Sequence, residues 1–179
     1  ARRLGVPFRS GGSLTGSKTA DAQAAYESAH TLTPTVLGGV NFALHSAGWM
    51  EGGLVADYAK LILDADQLTM IPKLVDGIDV SEQAQAMDAL RETGPGQHFL
   101  GSAHTQANFE DAFWRSEMAD NKTYEQWSSE GSNDSAGRAR KKFADMLESF
   151  VAPYIDPAVD EALRGFIAKR MEELPDADY

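Results

Sequence analysis

Arg9, His45 and His104 are the side chains best placed to do chemistry, because each falls where an apolar stretch gives way to polar or glycine-rich chain. Arg9 follows residues 4–8 and leads into Gly11-Gly12-Ser13-Leu14-Thr15-Gly16-Ser17-Lys18. His45 follows residues 40–44, and His104 lies just past residues 98–101. If the three stretches are strands, these groups converge at strand ends, where α/β folds also present helix-terminal N–H groups to ligands. The guanidinium is a permanent, planar donor. Such a set suits the binding of a small polar ligand, and the loop amides alone could cradle a phosphate or sulfate. His98 sits at the opposite end of its stretch and is expected to be structural.

Other chemistries are poorly supported. Gly11 and Gly16 have the spacing of a phosphate-binding P-loop, but Ser17 intervenes before Lys18 and moves the ammonium off the phosphates. No His-Glu-x-x-His pattern or histidine pair at helical spacing exists, so no intrinsic metal is expected. Ser13 and Thr15 have no base beside them in sequence, which leaves nucleophilic catalysis unsupported. The acidic set Asp57, Asp64 and Asp66 is expected to form a solvated helix face with one or two caps or ion pairs.

The elements that must position these residues follow from periodicity. Residues 4–8, 40–44 and 98–101 are expected to be strands. A helix is expected over 21–37, with Thr19 as its cap, apolar positions at Ala22, Ala25, Tyr26, Ala29 and Leu32, and Gly38-Gly39 at its end. A long helical region should begin near Gly53. Ser81 should cap another that ends at Gly94-Pro95-Gly96, and a short one should cover 106–114. Residues 135–149 and 157–174 are charged amphipathic helices, the second with proline in its first turn.

Strands separated by a dozen or more residues and a helix imply parallel pairing. Three βα units leave both edges of an open sheet unpaired, yet they suit the last part of an eight-stranded (β/α) barrel. The expected fold is therefore α/β: the C-terminal portion of a TIM-type barrel over residues 1–120, and a C-terminal helical extension of the same domain over 121–179. A small α/β sandwich is the alternative. Exposed strand edges would favour a homo-oligomer.

The chain of 179 residues is 42% hydrophobic, enough for one core. Its net charge of −11 argues against nucleic acid or an anionic membrane as partner. No apolar run could span a bilayer and no signal peptide is evident, so a cytoplasmic location is expected. The absence of cysteine removes disulfides, zinc–thiolate sites and thiol nucleophiles. The chain opens at Ala1-Arg2-Arg3, which has the look of entry in mid-domain.

Several blocks resemble the trimethylamine methyltransferase (MttB-like) family. They are Gly11-Gly12 through Ser17-Lys18, Asp21-Ala22-Gln23-Ala24, Ala47-Gly48-Trp49-Met50-Glu51-Gly52-Gly53, Gly94-Pro95-Gly96-Gln97-His98-Phe99-Leu100, and His104-Thr105. The stretch from Asp120-Asn121 to Trp127 and Glu130-Gly131 adds to them. The resemblance implies an enzyme that hands a methyl group from a methylated amine to the corrinoid (cobalamin) of a cognate partner protein. In the trimethylamine enzymes this loop carries pyrrolysine; here it is Ser13, Leu14, Thr15 and Gly16, all ordinary residues. That departure points to the pyrrolysine-free branch, which resembles demethylases of betaines.

A quaternary ammonium needs no covalent activation, since loss of methyl leaves a neutral amine. The protein's task is then to position the substrate. By resemblance, Arg9 and His45 match the branch's carboxylate-anchoring pair. Trp49, Phe42 and Phe99 could seat the ammonium through cation–π attraction of about 0.5–2 kcal/mol each. Glu51 and His104 complete the expected pocket. Residues 1–179 alone are expected to be inactive. The alternative to an enzyme is a non-catalytic fragment or assembly module with an acidic helical contact surface.

Overall fold

The computed structural model describes residues 1–152 and 154–174. It is a mixed α/β chain, mostly helical, with a few short strands; no barrel forms among the described residues. Two compact units divide it, Ala1–Asp145 and Met146–Tyr179. No helix among the described residues is long and apolar enough to cross a membrane.

The first unit is built on one βαβ element. Strand β1 (Arg9–Gly11), helix α1 (Ala22–Leu37) and strand β2 (Phe42–Leu44) follow in order. The strands pair in parallel, Arg9 opposite Phe42 and Gly11 opposite Leu44, with α1 as the crossover. The parallel pairing agrees with the sequence, but the first strand lies later than expected. Residues 2–4 form a single 3-10 turn closed by Gly5, because three consecutive polar or terminal residues precede Leu4 and no strand among the described residues pairs with it. Asp21, rather than Thr19, caps α1 by accepting from the Ala24 N–H.

A two-residue antiparallel hairpin that the sequence did not announce follows: β3 (Trp49–Met50) and β4 (Val55–Ala56). Then comes α2 (Tyr58–Asp76), capped by Asp57 and not begun at Gly53, since residues 51–53 form a 3-10 turn with left-handed backbone at Gly52.

Beyond α2 the chain is helical. Ser81 caps α3 (Glu82–Gln85), and left-handed Ala86 breaks the expected helix before α4 (Met87–Glu92). The third strand expected at 98–101 does not exist. Phe99–Gly101 is a 3-10 turn and Ser102 caps α5 (Ala103–Asn108) directly after it. Two apolar residues between polar and glycine neighbours are too few to recruit a strand partner. Three βα units therefore reduce to one βαβ. Helices α6 (Tyr124–Ser129), α7 (Ser135–Glu148) and α8 (Pro157–Glu173) complete the order, the last with proline in its first turn.

The core of the first unit is small: Ala59, Met118 and Ala139, with Ala20, Ile62 and Leu63 against them. Arg138 ties the 116–120 segment to α7 through two bonds to the Met118 carbonyl, 2.7 and 3.0 Å. Leu32 is fully buried, and the backbone of Gly12 lies against it so closely that an added Cβ would meet Leu32 Cδ1 at 2.7 Å. Gly12→Ala is expected to lower stability by about 1–3 kcal/mol through overpacking. Thermal unfolding checks this, and Leu32→Ala in the same chain should then cost less than it does beside the native glycine.

Candidate functional site

The glycine loop runs from the end of β1 along α1, from the middle of the helix back to its first turn, and α1 turns a polar stripe toward it. Thr35 Oγ1 donates to the Gly11 carbonyl (2.9 Å) and Thr31 Oγ1 accepts from the Ser13 N–H (3.0 Å). Glu27 accepts from Thr15 Oγ1 (2.5 Å), the Gly16 N–H (2.8 Å) and Gln23 Nε2 (3.0 Å). Ser17 Oγ donates to Asp21 (3.0 Å), which also caps the helix. This corrects the apolar face expected at Ala22, Ala25 and Tyr26, which are exposed; only Leu32 of that set is fully buried. The reason is that a loop buried at Ser13, Thr15 and Ser17 must have partners for its backbone groups, and α1 supplies them.

Beneath the loop lies a buried ion pair. Lys60 and Asp64 are 1% and 3% exposed, one turn apart on α2. The Lys60 ammonium donates to the Ser13 carbonyl (2.7 Å), to Ser28 Oγ (2.9 Å) and to Asp64 Oδ2. The same carboxylate oxygen accepts the Gly48 N–H at 2.8 Å. Burial pushes the Asp64 carboxyl up, against the bonds from Lys60 and Gly48 that favour its charged form. Asp64 is thus no part of a solvated face. Asp57 is a cap and Asp66 accepts from Ser116 and the Glu117 N–H.

Residues 45–53 form the second wall. The Gly52 N–H donates to the Thr15 carbonyl (2.8 Å) and the Glu51 N–H to Ser17 (3.2 Å), so the loop is held between α1 and the hairpin. The turn at Gly48 has φ 82° and an added Cβ would meet Leu61 Cβ at 3.2 Å, so the position favours glycine. His45 packs edge-on against Trp49, ring centroids 5.3 Å apart at 87°. Among the described residues, five non-glycine positions have left-handed backbone, and Ser13, His45 and Glu51 are three of them. Conformations of this kind cost about 1–3 kcal/mol each and concentrate at functional sites.

The structure thus brings together Ser13, Leu14, Thr15 and Gly16 with Glu51, and His45 with Trp49, all beyond the C-terminal ends of β1 and β2. Arg9 stands apart from them. It opens β1 instead of ending it, and His45 lies three residues past Arg9's partner Phe42, about 10 Å along the strand direction. Both Arg9 and Phe42 are exposed, and Arg9 forms no salt bridge among the described residues. Phe99 and His104 belong to another segment: a His104 ring nitrogen is 2.8 Å from the Gln83 carbonyl, not at a strand end. Lys60 and Asp64 also line a cavity of about 890 Å³ together with Ala24, Tyr26, Leu63 and Met118, and neither His45 nor Trp49 lines it.

Sequence reasoning missed Glu27, Ser28 and Lys60, and it allowed Asp64 an ion pair but placed it on a solvated face. The signals were there: Glu27, Thr31 and Thr35 recur at four-residue spacing, and Lys60–Asp64 is an i,i+4 pair inside an apolar stretch.

A glycine loop that leaves a parallel strand and is clasped by the following helix is the strand-end arrangement at which α/β folds place ligands. The family model for trimethylamine methyltransferase (MTTB) matches residues 1–175, and the chain belongs to that family. It is 39% identical over 97% of its length to the glycine betaine methyltransferase of Desulfitobacterium hafniense (strain Y51), covering 36% of that protein. Identity to the trimethylamine methyltransferase MttB of Desulfitobacterium hafniense (strain DSM 10664 / DCB-2) is 29%, over 97% of this chain and 34% of the relative. With that of Methanosarcina thermophila it is 30%, over 87% and 32%. The chain spans about a third of the length of the curated relatives it matches.

The loop clamp has a testable acid response. The hydrogen bonds to Glu27, first from Thr15 and then from Gly16 and Gln23, hold its carboxyl below the usual value. A depressed folded pKa gives stability that is complete above the unfolded value and is lost as pH falls through the folded one. Glu27→Gln should therefore melt below the native chain near neutral pH. The gap should close in acid, as read from melting temperatures across a pH series.

Proposed function

We propose that this chain is part of a methyltransferase that takes a methyl group from glycine betaine or a related quaternary ammonium carboxylate and delivers it to a corrinoid protein. The observation that carries this reading is the 39% identity with a glycine betaine methyltransferase over nearly the whole chain, against 27–30% with the trimethylamine methyltransferases. The ordinary residues Ser13, Leu14, Thr15 and Gly16 support it, because a quaternary ammonium needs no adduct-forming side chain. The corrinoid protein is the second substrate. The methyl carbon bonds to its reduced cobalt as the C–N bond breaks, and the electron pair stays on nitrogen, which becomes a neutral amine.

In the whole protein we take residues 1–120 to be the C-terminal portion of a (β/α) barrel and 121–179 its helical extension. The parallel β1–α1–β2 element is the kind of unit from which such a barrel is built. Parallel strands are ordinarily covered on both faces, yet Val6, Phe8 and Phe42 are 51%, 49% and 61% exposed beside this pair. Further strand–helix units of the same protein would cover them, and residues 1–179 alone should transfer no methyl group. Any residual exposed edge would favour a homo-oligomer.

Within the site, His45 and Trp49 seat the ligand: the imidazole donates to the substrate carboxylate, and the indole face lies toward the ammonium. The backbone of the 13–16 loop and Glu51 shape the pocket floor. Arg9 starts at the other end of the strand pair, and in the whole protein it joins this anchor by extending its long side chain along β2 toward His45. Tight hold on the cation would oppose a step that discharges it, so the carboxylate anchor contributes more to the rate than the aromatic seat.

In the full-length enzyme, Arg9→Ala is expected to lower kcat/KM for glycine betaine by about 30- to 1000-fold, the loss of a charge-assisted bidentate contact. Arg9→Lys should restore part of it. The same change should have little effect on demethylation of tetramethylammonium, which has no carboxylate, whereas Trp49→Ala should weaken both substrates. Steady-state methyl transfer to the corrinoid protein measures all of these. Equal losses for the two substrates in Arg9→Ala would contradict the carboxylate anchor.

A further inference from the structure

We infer that Lys60 is a positioning residue for this site: its buried ammonium fixes the 13–17 loop through the Ser13 carbonyl. The inference rests on the methyltransferase reading for its kinetic consequence only. Its structural part stands on the chain itself.

Ser13 is the point at which the loop is most constrained. Its backbone is left-handed, φ 56°, an uncommon state for a residue with a Cβ. Its side chain is wholly buried, and Ser13 Oγ has no hydrogen-bond partner among the described residues. Neither feature is favourable, so something must hold the residue there. The Ser13 N–H is held by Thr31 from α1, while its carbonyl receives the Lys60 ammonium at 2.7 Å and, more weakly, Ser28 Oγ at 3.4 Å. A charge-assisted donor between buried groups is the strongest of these. Lys60 is spent entirely on this work: its three donor directions go to Ser13, Ser28 and Asp64, and it is 1% exposed. With these acceptors in place, no donor direction of the ammonium is left for a ligand.

Asp64 extends the reach of the pair. By accepting the Gly48 N–H it ties the turn before Trp49 to the same ammonium that holds Ser13. The two walls of the site, loop 13–17 and turn 45–53, are thereby referenced to one point on α2. Direct backbone bonds between the walls, Gly52 to Thr15 and Glu51 to Ser17, then lock their separation. Lys60 thus sets where the loop stands relative to Trp49 without touching the ligand itself.

The test separates positioning from bulk stability. Lys60→Met alone leaves the Asp64 carboxyl buried and unpaired and should destabilise the chain. Lys60→Met/Asp64→Asn removes both charges, keeps an amide oxygen for the Gly48 N–H, and should recover most of the lost melting temperature. If Lys60 only stabilises the fold, this neutral pair behaves as native in every other respect. If it positions the loop, the neutral pair still shows a mobile loop. Tryptic cleavage after the exposed Lys18 in residues 1–179 should then rise about tenfold or more, because cleavage tracks the open population.

In the full-length enzyme the neutral pair should lose about 10- to 100-fold in kcat for glycine betaine and tetramethylammonium alike, with KM little changed, as misplacement of a pocket wall predicts. Native cleavage and native kcat in a thermally recovered variant would overturn the inference. So would a loss confined to glycine betaine, which would make Lys60 part of the carboxylate anchor. Should the native enzyme demethylate neither substrate, the methyltransferase reading fails, while the cleavage assay still decides the positioning role.

Discussion

A lysine and an aspartate enclosed together one turn apart on a helix are an expensive arrangement. Each charge must leave water, at an effective cost of several kcal/mol per ion, and mutual attraction offsets this only where the remaining hydrogen-bonding capacity is also satisfied. The Lys60–Asp64 pair meets that condition. The ammonium has three acceptors, and the carboxylate takes a backbone N–H besides its partner. Four segments meet there: the glycine loop at Ser13, α1 at Ser28, α2 itself, and the turn at Gly48. Removing either partner would strand a buried charge, a loss on the order of 3–5 kcal/mol. The pair is better understood as a device that specifies one arrangement of those segments than as a source of net stability.

The rest of the site follows from that fixed point. Once Ser13 is pinned, the following loop must lie along α1, and its buried polar backbone dictates that α1 face it with Glu27, Ser28, Thr31 and Thr35 instead of with alanines. The left-handed residues fall where the chain has to reverse under these constraints, at Ser13, His45 and Glu51. Strain at these positions is tolerable because neighbouring bonds over-determine the backbone. The outcome is a preformed pocket wall, the property a positional catalyst needs when the reaction itself requires no nucleophile from the protein.

The sequence made the parallel βαβ element, the glycine loop and some helix ends legible, since a cap such as Ser81, a first-turn proline such as Pro157 and breakers such as Gly38-Gly39 act locally. The family was legible in the blocks around Gly11-Gly12 and Gly48-Trp49. What escaped was non-local. Residues 98–101 carry strand-like residue types but have no partner, and pairing is decided elsewhere in the chain. The polar stripe of α1 was hidden because a helix's buried face is expected to be apolar, and only the loop's unmet backbone groups reverse that expectation. Asp64 looked like one of three surface carboxylates, as its burial depends on segments 16 and more than 30 residues away. Arg9 was placed at the wrong end of its strand by a shift of three residues, enough to move it from the loop side of the pair to the far side.

The central claim is that the glycine loop and the Gly48 turn are one rigid wall referenced to the buried pair. Native-state amide hydrogen exchange on the unmodified chain tests it most directly. The N–H groups of Ser13, Gly16, Ser17, Gly48 and Gly52 should be protected, and should exchange together with the α2 amides around Lys60 in a single opening. Fast exchange of the loop amides, independent of α2 and comparable to that of exposed turns such as residues 94–97, would contradict it.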